Sequence, residues 1–512
     1  MVATRGAHPF THVKHRGGTD ETPNSEPSVQ ARLPIFLAGP EMRRNKVAYP
    51  LVGVPDTGDT AWMLASSALV LLMTPGLAFF YGGMVRGKNV LNMIMMSISA
   101  MGLVGVLWSI YGFSEAFGNN KFGVIGNPAE FFGLKGLIGS NGVKSVPADP
   151  ATGTAAVHGT DIPLSGTIPM TVFVAFQLMF AIITVALISG AVADRLKFRA
   201  WLVFAAVWAT VVYFPVAHWV FDFNVSDAAG NIVHHGGWIA NKLQAIDFAG
   251  GTAVHINAGA AGLALCIVLG KRKGWPKTPM RPHNLPFVML GAGLLWFGWF
   301  GFNAGSAVSS NGLAGSTFVT TAVATCAAML AWLLVEKIRD GKPTSLGAAS
   351  GLVAGLVAIT PSCSSVNVLG ALAVGAVAGI ACALAVGLKY KLGFDDSLDV
   401  VGVHLVGGVI GTLMVGLFLA PESGASASLG GAKGLFYGGG FSQLGKQAVG
   451  AFAVLAFSFI VSLVLGYIIK FTIGLRATEE EEFAGMDESE HAETAYDFAA
   501  VGGTARTAVK EA

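Results

Sequence analysis

The stretch Asp247–Gly262 reads DFAGGTAVHINAGAAG. It sets a carboxylate and then a histidine inside an apolar run long enough to cross a bilayer. The pattern at its centre recurs far downstream, where Val401–Gly411 reads VGVHLVGGVIG. In both, Val-His is followed by Ile or Leu, and glycines stand four and seven residues after the histidine. Two ionisable rings in two hydrophobic segments of one chain require an explanation, and the surrounding sequence decides what kind.

The chain is 53% hydrophobic and only 12% charged, with 68 glycines in 512 residues. Soluble domains carry roughly twice that charge fraction. The charges also cluster, leaving apolar windows of about 20 residues, the length of a membrane helix. Spans are expected near residues 61–82, 90–113, 168–190, 200–221, 248–270, 285–305, 313–335, 345–361, 366–390, 400–420 and 447–472. The expected fold is therefore an all-α polytopic membrane protein of eleven transmembrane helices, occupying residues 61–472. A polar segment, 1–60, precedes it, and an acidic tail, 473–512, follows. Residues 114–167 are too polar to cross and rich in Gly, Asn and Pro, so they read as an irregular loop. Cys266, Cys326, Cys363 and Cys382 lie in or beside apolar segments without paired-ligand spacing, so buried inert thiols are expected rather than a disulfide framework or a zinc site. No cofactor and no nucleic-acid partner is indicated.

Alternate loops carry about 15 Lys and Arg, among them Arg86, Lys197 and Lys273, against about 6 in the opposite set. By the positive-inside rule the first set is cytoplasmic, the first helix enters from outside and the C-terminus ends inside. Seven basic residues of the N-terminal segment, from Arg5 to Lys46, then lie outside, against that rule. Translation from a later start such as Met42, or removal of the segment, would resolve the conflict. With His255 in the fifth span and His404 in the tenth, the two are approached from opposite faces. That is the mark of an inverted five-plus-five pseudo-two-fold repeat with a site near the midplane, the final helix standing outside it.

A lone histidine in a span can simply bond a neighbouring helix; two in equivalent positions of a repeat point to function. A dry setting disfavours imidazolium, so both rings are expected neutral. Such a pair can bond to each other, leave a group for a small polar solute, and pass a proton by switching tautomers. Gly259, Gly262, Gly408 and Gly411 read as packing residues that let the helices approach. Asp247 opens its helix beside Gly250 and Gly251, and is expected to cap free N–H groups rather than touch a ligand. Asp399, five residues before His404, carries the same two readings. At the outer side, Phe176 and Phe180 are one turn apart, as are Phe302 and Ser306, and Phe221 ends the fourth span. Single aromatics there are ordinarily packing or interface anchors. Together these rings and one hydroxyl form a site for a small cation. The loop after Phe221 is rich in Asp, His and Gly.

DFAGGTAVHINAGAAG, GWFGFNAGS, PGLAFFYGGMVRGKN and the Asp399–His404 segment DVVGVH, together and in this setting, resemble the Amt/Mep/Rh ammonium transporters, specifically the bacterial Amt branch, over residues 56–498. The resemblance implies an eleven-helix homotrimer with one narrow apolar pore per subunit. It implies twin pore histidines at His255 and His404, a phenylalanine gate at Phe180 and Phe302, and ammonium recruitment by Phe176, Phe221 and Ser306. It further implies a pore-lining Trp299 and a structural Asp247. The family's usual HWVW is here His218-Trp219-Val220-Phe221, and Phe is a weaker cation–π partner than Trp. Trp219 cannot substitute, being about 200° round the helix.

By composition the tail after Gly474 is an acidic, solvated run; by resemblance it packs under the pore and answers to PII-type signalling proteins. The function so implied is recruitment of NH4+ at an outer vestibule, deprotonation, and conduction of NH3 with proton relay across a cell membrane. The alternatives are an electroneutral ammonia gas channel and an ammonium sensor signalling through its tail. A sodium-coupled carrier lacks its midplane oxygen ligands here, and an enzyme its nucleophile and base.

Overall fold

A computed structural model describes residues 49–138 and 162–496. The basic N-terminal residues up to Lys46, the candidate start at Met42, and the end of the tail lie outside the described residues. Among the described residues ten helices are long and apolar enough to cross a membrane: Thr57–Met84, Val90–Phe117, Met170–Val192, Phe198–Phe221, Gly251–Leu269, Leu285–Gly305, Gly312–Asp340, Val368–Leu392, Val401–Phe418 and Ser442–Thr472. At the place of the expected eighth span stands a shorter apolar helix, Ser345–Ile359, of 15 residues. Fifteen residues rise only about 22 Å. Its continuation, Thr360–Ser365, is irregular but buried. The Pro361 carbonyl accepts from Phe248 N–H and that of Ser365 from Ala420 N–H. Non-helical backbone at membrane depth is tolerated where protein satisfies it in this way.

The helix 57–84 starts where Asp56 accepts from Asp59 N–H, and it packs along 285–305 through small residues. Elsewhere small residues again set the approach. A Cβ on Gly259 would stand 2.6 Å from Leu405 N, and one on Gly411 would stand 2.1 Å from the Ala358 carbonyl oxygen. Only glycine fits at these crossings: the first brings the two histidine-bearing helices together, and the second seats the His404 helix on Ser345–Ile359.

The long loop is more ordered than its composition suggests. The second span runs on to Phe117, Asn120–Lys121 pairs with Ile125–Gly126, and Ile162–Ser165 pairs with both Val52–Gly53 and Ile168–Pro169. A further hairpin, Val225–Ser226 with Ile232–His234, follows the fourth span.

Up to residue 496 the acidic tail is docked rather than a solvated run. Thr478 and Glu481 form a capping box that starts the short helix Glu479–Ala484, and Met486–His491 follows. Glu482 and Asp487 are each only 2% exposed. Glu482 pairs with Arg476 at 2.7 Å, Asp487 accepts from Asn92 N–H at 2.8 Å, and Tyr496 bonds His283. Glu479 and Glu481 pair with Lys273 and Lys197 of the basic loops at 2.7 and 3.4 Å, so the described tail is docked, as the family resemblance implied and composition did not.

Candidate functional site

Asp247 reaches into the turn that opens the helix 251–269. Its two oxygens accept from the N–H groups of Gly250, Gly251, Thr252 and Ala253 at 2.6–3.1 Å, and from the Thr252 hydroxyl. Gly250 has φ +115°, which only glycine adopts readily. The cap reading therefore holds for Asp247. It fails for Asp399: the equivalent bonds are made by Asp396, whose oxygens accept from Val400 and Val401 N–H at 3.1 and 2.7 Å. Asp399 sits instead at the left-handed position, φ +63°, matching Gly250, and its carboxylate pairs with Lys389 at 2.6 Å. Asp247 precedes His255 by eight residues and Asp396 precedes His404 by eight. That spacing was the available signal. Burial, with the charge of Asp399 adding to it, pushes the Asp396 carboxyl up to about 6.

Both histidines sit in π-helical turns, Gly251–Ile256 and Val401–Leu405. His255 N–H bonds the Gly250 carbonyl five residues back at 3.1 Å. Such turns recur at functional sites, and no residue pattern announced them. The rings lie 5.3 Å apart at 23°, with Nδ1 to Nδ1 at 3.3 Å. One Nδ1–H therefore donates to the other, bare Nδ1. Between neutral rings this leaves one bare Nε2 and one Nε2–H. Trp299 stacks on His255 at 5.4 Å, and its indole N–H donates to Thr360 Oγ1 at 2.9 Å, which fixes the ring plane.

Phe180 and Phe302 stack at 4.1 Å and 20°. Phe176 lies 4.9 Å and Phe221 6.2 Å from Phe180. On one side of the stack opens a vestibule of about 540 Å³, lined by Phe176, Gln177, Phe180, Phe221, Asp222 and Ser306. On the other is a lumen of only about 10 Å³, lined by Leu77, Ile183, Val254, Trp299 and both histidines. That is room for about one water-sized molecule. Ser306 donates its hydroxyl to the Phe302 carbonyl at 2.8 Å, leaving its oxygen free to accept. The candidate pore, gate and recruitment side chains lie on this pathway and Asp247 caps an element that forms it, while Asp399 does neither; of the four cysteines Cys326 is exposed rather than buried. Gln177, Asp222 and Thr360 were missed, since a single polar residue in an apolar span carries no pattern. Among the described residues no group of three or more His, Cys, Asp or Glu side chains is placed so that it could hold a metal ion.

The model of the Ammonium Transporter Family matches residues 61–496. An ammonium transporter of Mycobacterium tuberculosis (strain H37Rv) is 72% identical over 457 residues, covering 89% of this chain and 94% of that one. One from Bacillus subtilis is 45% identical, covering 86% and 98%. Among solved structures, Saccharomyces cerevisiae Mep2 superposes with a TM-score of 0.70 at 32% identity, covering 83% of this chain and 88% of that one. A sensor Amt protein superposes with a TM-score of 0.71 at 28% identity, covering 85% and 98%. The chain belongs to the ammonium transporter family, a multi-pass membrane protein whose function is ammonium transport.

Proposed function

We propose that ammonium is recruited at the outer vestibule, loses its proton at the Phe180–Phe302 stack, and crosses as ammonia between His255 and His404, which relay the proton. The observation that carries this reading is the 3.3 Å Nδ1–Nδ1 contact beside a lumen of about 10 Å³. A unit charge in an apolar passage that narrow is costly, by several kcal/mol or more. Ammonia is neutral and of the right size. The relay balances: a proton arrives at the bare Nε2 of one ring, that ring's Nδ1–H moves to its neighbour's Nδ1, and the neighbour's Nε2–H leaves. The two rings then exchange tautomers and must switch back.

The proposal includes the orientation set by the basic loops, N-terminus outside and C-terminus cytoplasmic, and division into a transmembrane domain, 61–472, and a tail, 473–512. By family resemblance the assembly is a homotrimer, and the docked tail is the face where a PII-type protein would bind. A pull-down with the cognate PII protein, with and without nucleotides and 2-oxoglutarate, tests that partner; no binding under any condition removes it.

An ammonium jump applied to proteoliposomes should drive a current. In the double variant His255→Ala/His404→Ala the assembly should persist while that current falls at least a hundredfold. Ammonia flux with no charge movement would replace proton relay by neutral gas conduction. Wild-type current and selectivity over potassium in the double variant would remove the histidines from the mechanism.

A further inference from the structure

The vestibule wall beside Phe221 holds a charge that conduction between the histidines does not use. Asp222 ends the fourth span and is 3% exposed, yet it lines the vestibule. Its carboxylate faces two buried imidazoles. His234 Nε2 lies 2.8 and 3.0 Å from the two oxygens, and His218 Nδ1 lies 3.1 Å from one of them. His218 Nδ1 is also 3.1 Å from the Ala116 carbonyl oxygen, which can only accept, so Nδ1 carries the hydrogen. The remaining nitrogens, His218 Nε2 and His234 Nδ1, are buried without a partner. A proton on either would create an orphaned buried N–H, which native proteins rarely tolerate. Both rings are therefore neutral: His234 Nε2–H donates to the carboxylate, and His218 Nδ1–H donates to the Ala116 carbonyl and stands 3.1 Å from the carboxylate.

Among the described residues no Lys or Arg pairs with that carboxylate; its ion-pair-range neighbours are these two rings. Tyr49 stacks over His234 at 4.1 Å and 25°. The result is one net negative charge on a side chain only 4% exposed, at the C-terminal end of a helix whose dipole has the same sign. A buried anion with no cationic partner is unfavourable. A cation standing in the vestibule is the partner it lacks. Another residue lining the vestibule, Gln177, 8% exposed, has an Oε1 with no hydrogen-bond partner, an acceptor for an ammonium N–H.

We infer that Asp222, positioned by the His234 N–H with the His218 ring beside it, is the charged half of the vestibule's cation site and supplies attraction that the Phe221 ring, lacking an indole, gives only weakly. This inference rests on ammonium recruitment at the vestibule.

The test is the ammonium dependence of the current in proteoliposomes. For Asp222→Asn, near-isosteric and uncharged, the half-saturating concentration should rise about tenfold while the saturating current falls by less than about twofold. Asp222→Glu, which keeps the charge, should recover most of the affinity. An assembled Asp222→Asn protein with wild-type half-saturation overturns the inference. Should that variant not assemble, Asp222→Ser decides: its half-saturation should again rise about tenfold, and an assembled Asp222→Ser protein with wild-type half-saturation overturns the inference. A wild-type current that never saturates would instead remove recruitment itself, whereas a saturating wild type with an indifferent Asp222→Asn removes only the role of Asp222.

Discussion

At the scale of single residues, the two aspartates that open the histidine helices do the same work from opposite ends of the pathway. Asp247 accepts five hydrogen bonds and Asp396 accepts two from the corresponding turn. Bonds to a charged acceptor contribute about 1.5–3 kcal/mol each, and the donors left behind would be buried. Asp247→Ala should therefore destabilise the protein by about 3–5 kcal/mol, read as the loss of folded, monodisperse protein in thermal melts. Asp396→Ala should cost more than Asp399→Ala, because Asp399 gives up one partly exposed ion pair and no cap. The reverse order would mean that Asp399, not Asp396, organises the second helix. Asp247 was legible because its carboxylate stands just before a glycine pair and an apolar run. Asp396 was passed over because Asp399 also precedes the apolar run, and only backbone dihedrals say which carboxylate turns inward.

At the scale of elements, the histidine pair exists because two helices cross on glycine. Gly259 meets the Leu405 backbone, and the counterpart Gly408 lies with its missing Cβ 3.0 Å from the Gly251 carbonyl oxygen. A methyl at either crossing pushes on backbone, which cannot step aside as a side chain tip can. Gly259→Ala should cost about 1–3 kcal/mol and separate the rings. The expected readout is a lower melting temperature with a fall in ammonium current larger than the loss of folded protein explains. A Gly259→Ala protein with unchanged melting and current would show that the crossing has slack. The glycine spacing was readable in the sequence. The π-helical turns that aim both imidazoles at each other were not, since a π turn depends on where the capping carboxylate anchors the first N–H groups.

At the scale of the whole molecule, the basic loops are tied to one another beneath the helices. Arg272, 5% exposed, pairs with Asp194 at 3.2 Å and with Asp395 at 2.8 Å, while Asp194 also takes Arg86 at 3.1 Å. Four loops meet there, and the tail docks on the same face through Glu482 and Lys273. Burial raises the Asp395 carboxyl, but the Arg272 hydrogen bonds and the charges of Arg195 and Arg272 more than offset it, leaving the group below its ordinary 3.8. A carboxyl held down in the folded state stabilises above its unfolded value, and that stability is lost as pH falls through the folded one. Arg272→Gln should therefore cost about 3–5 kcal/mol at pH 7 by stranding buried carboxylates. The gap to wild type in thermal melts should narrow as pH drops below about 4. A gap independent of pH would assign the loss to packing of the guanidinium instead.

The sequence by itself determined that this is a helical membrane protein with two histidines in related spans, because hydropathy and a repeated local motif are written within single segments. It also carried the family, through motifs whose residues are contiguous. Only the tertiary structure decided which aspartate caps the second helix, that the acidic tail is docked rather than solvated, and that His218 and His234 close on Asp222. Those partnerships join residues from different elements. They depend on backbone turns and on which neighbour supplies the last hydrogen bond, and neither is recorded in the periodicity of any one segment.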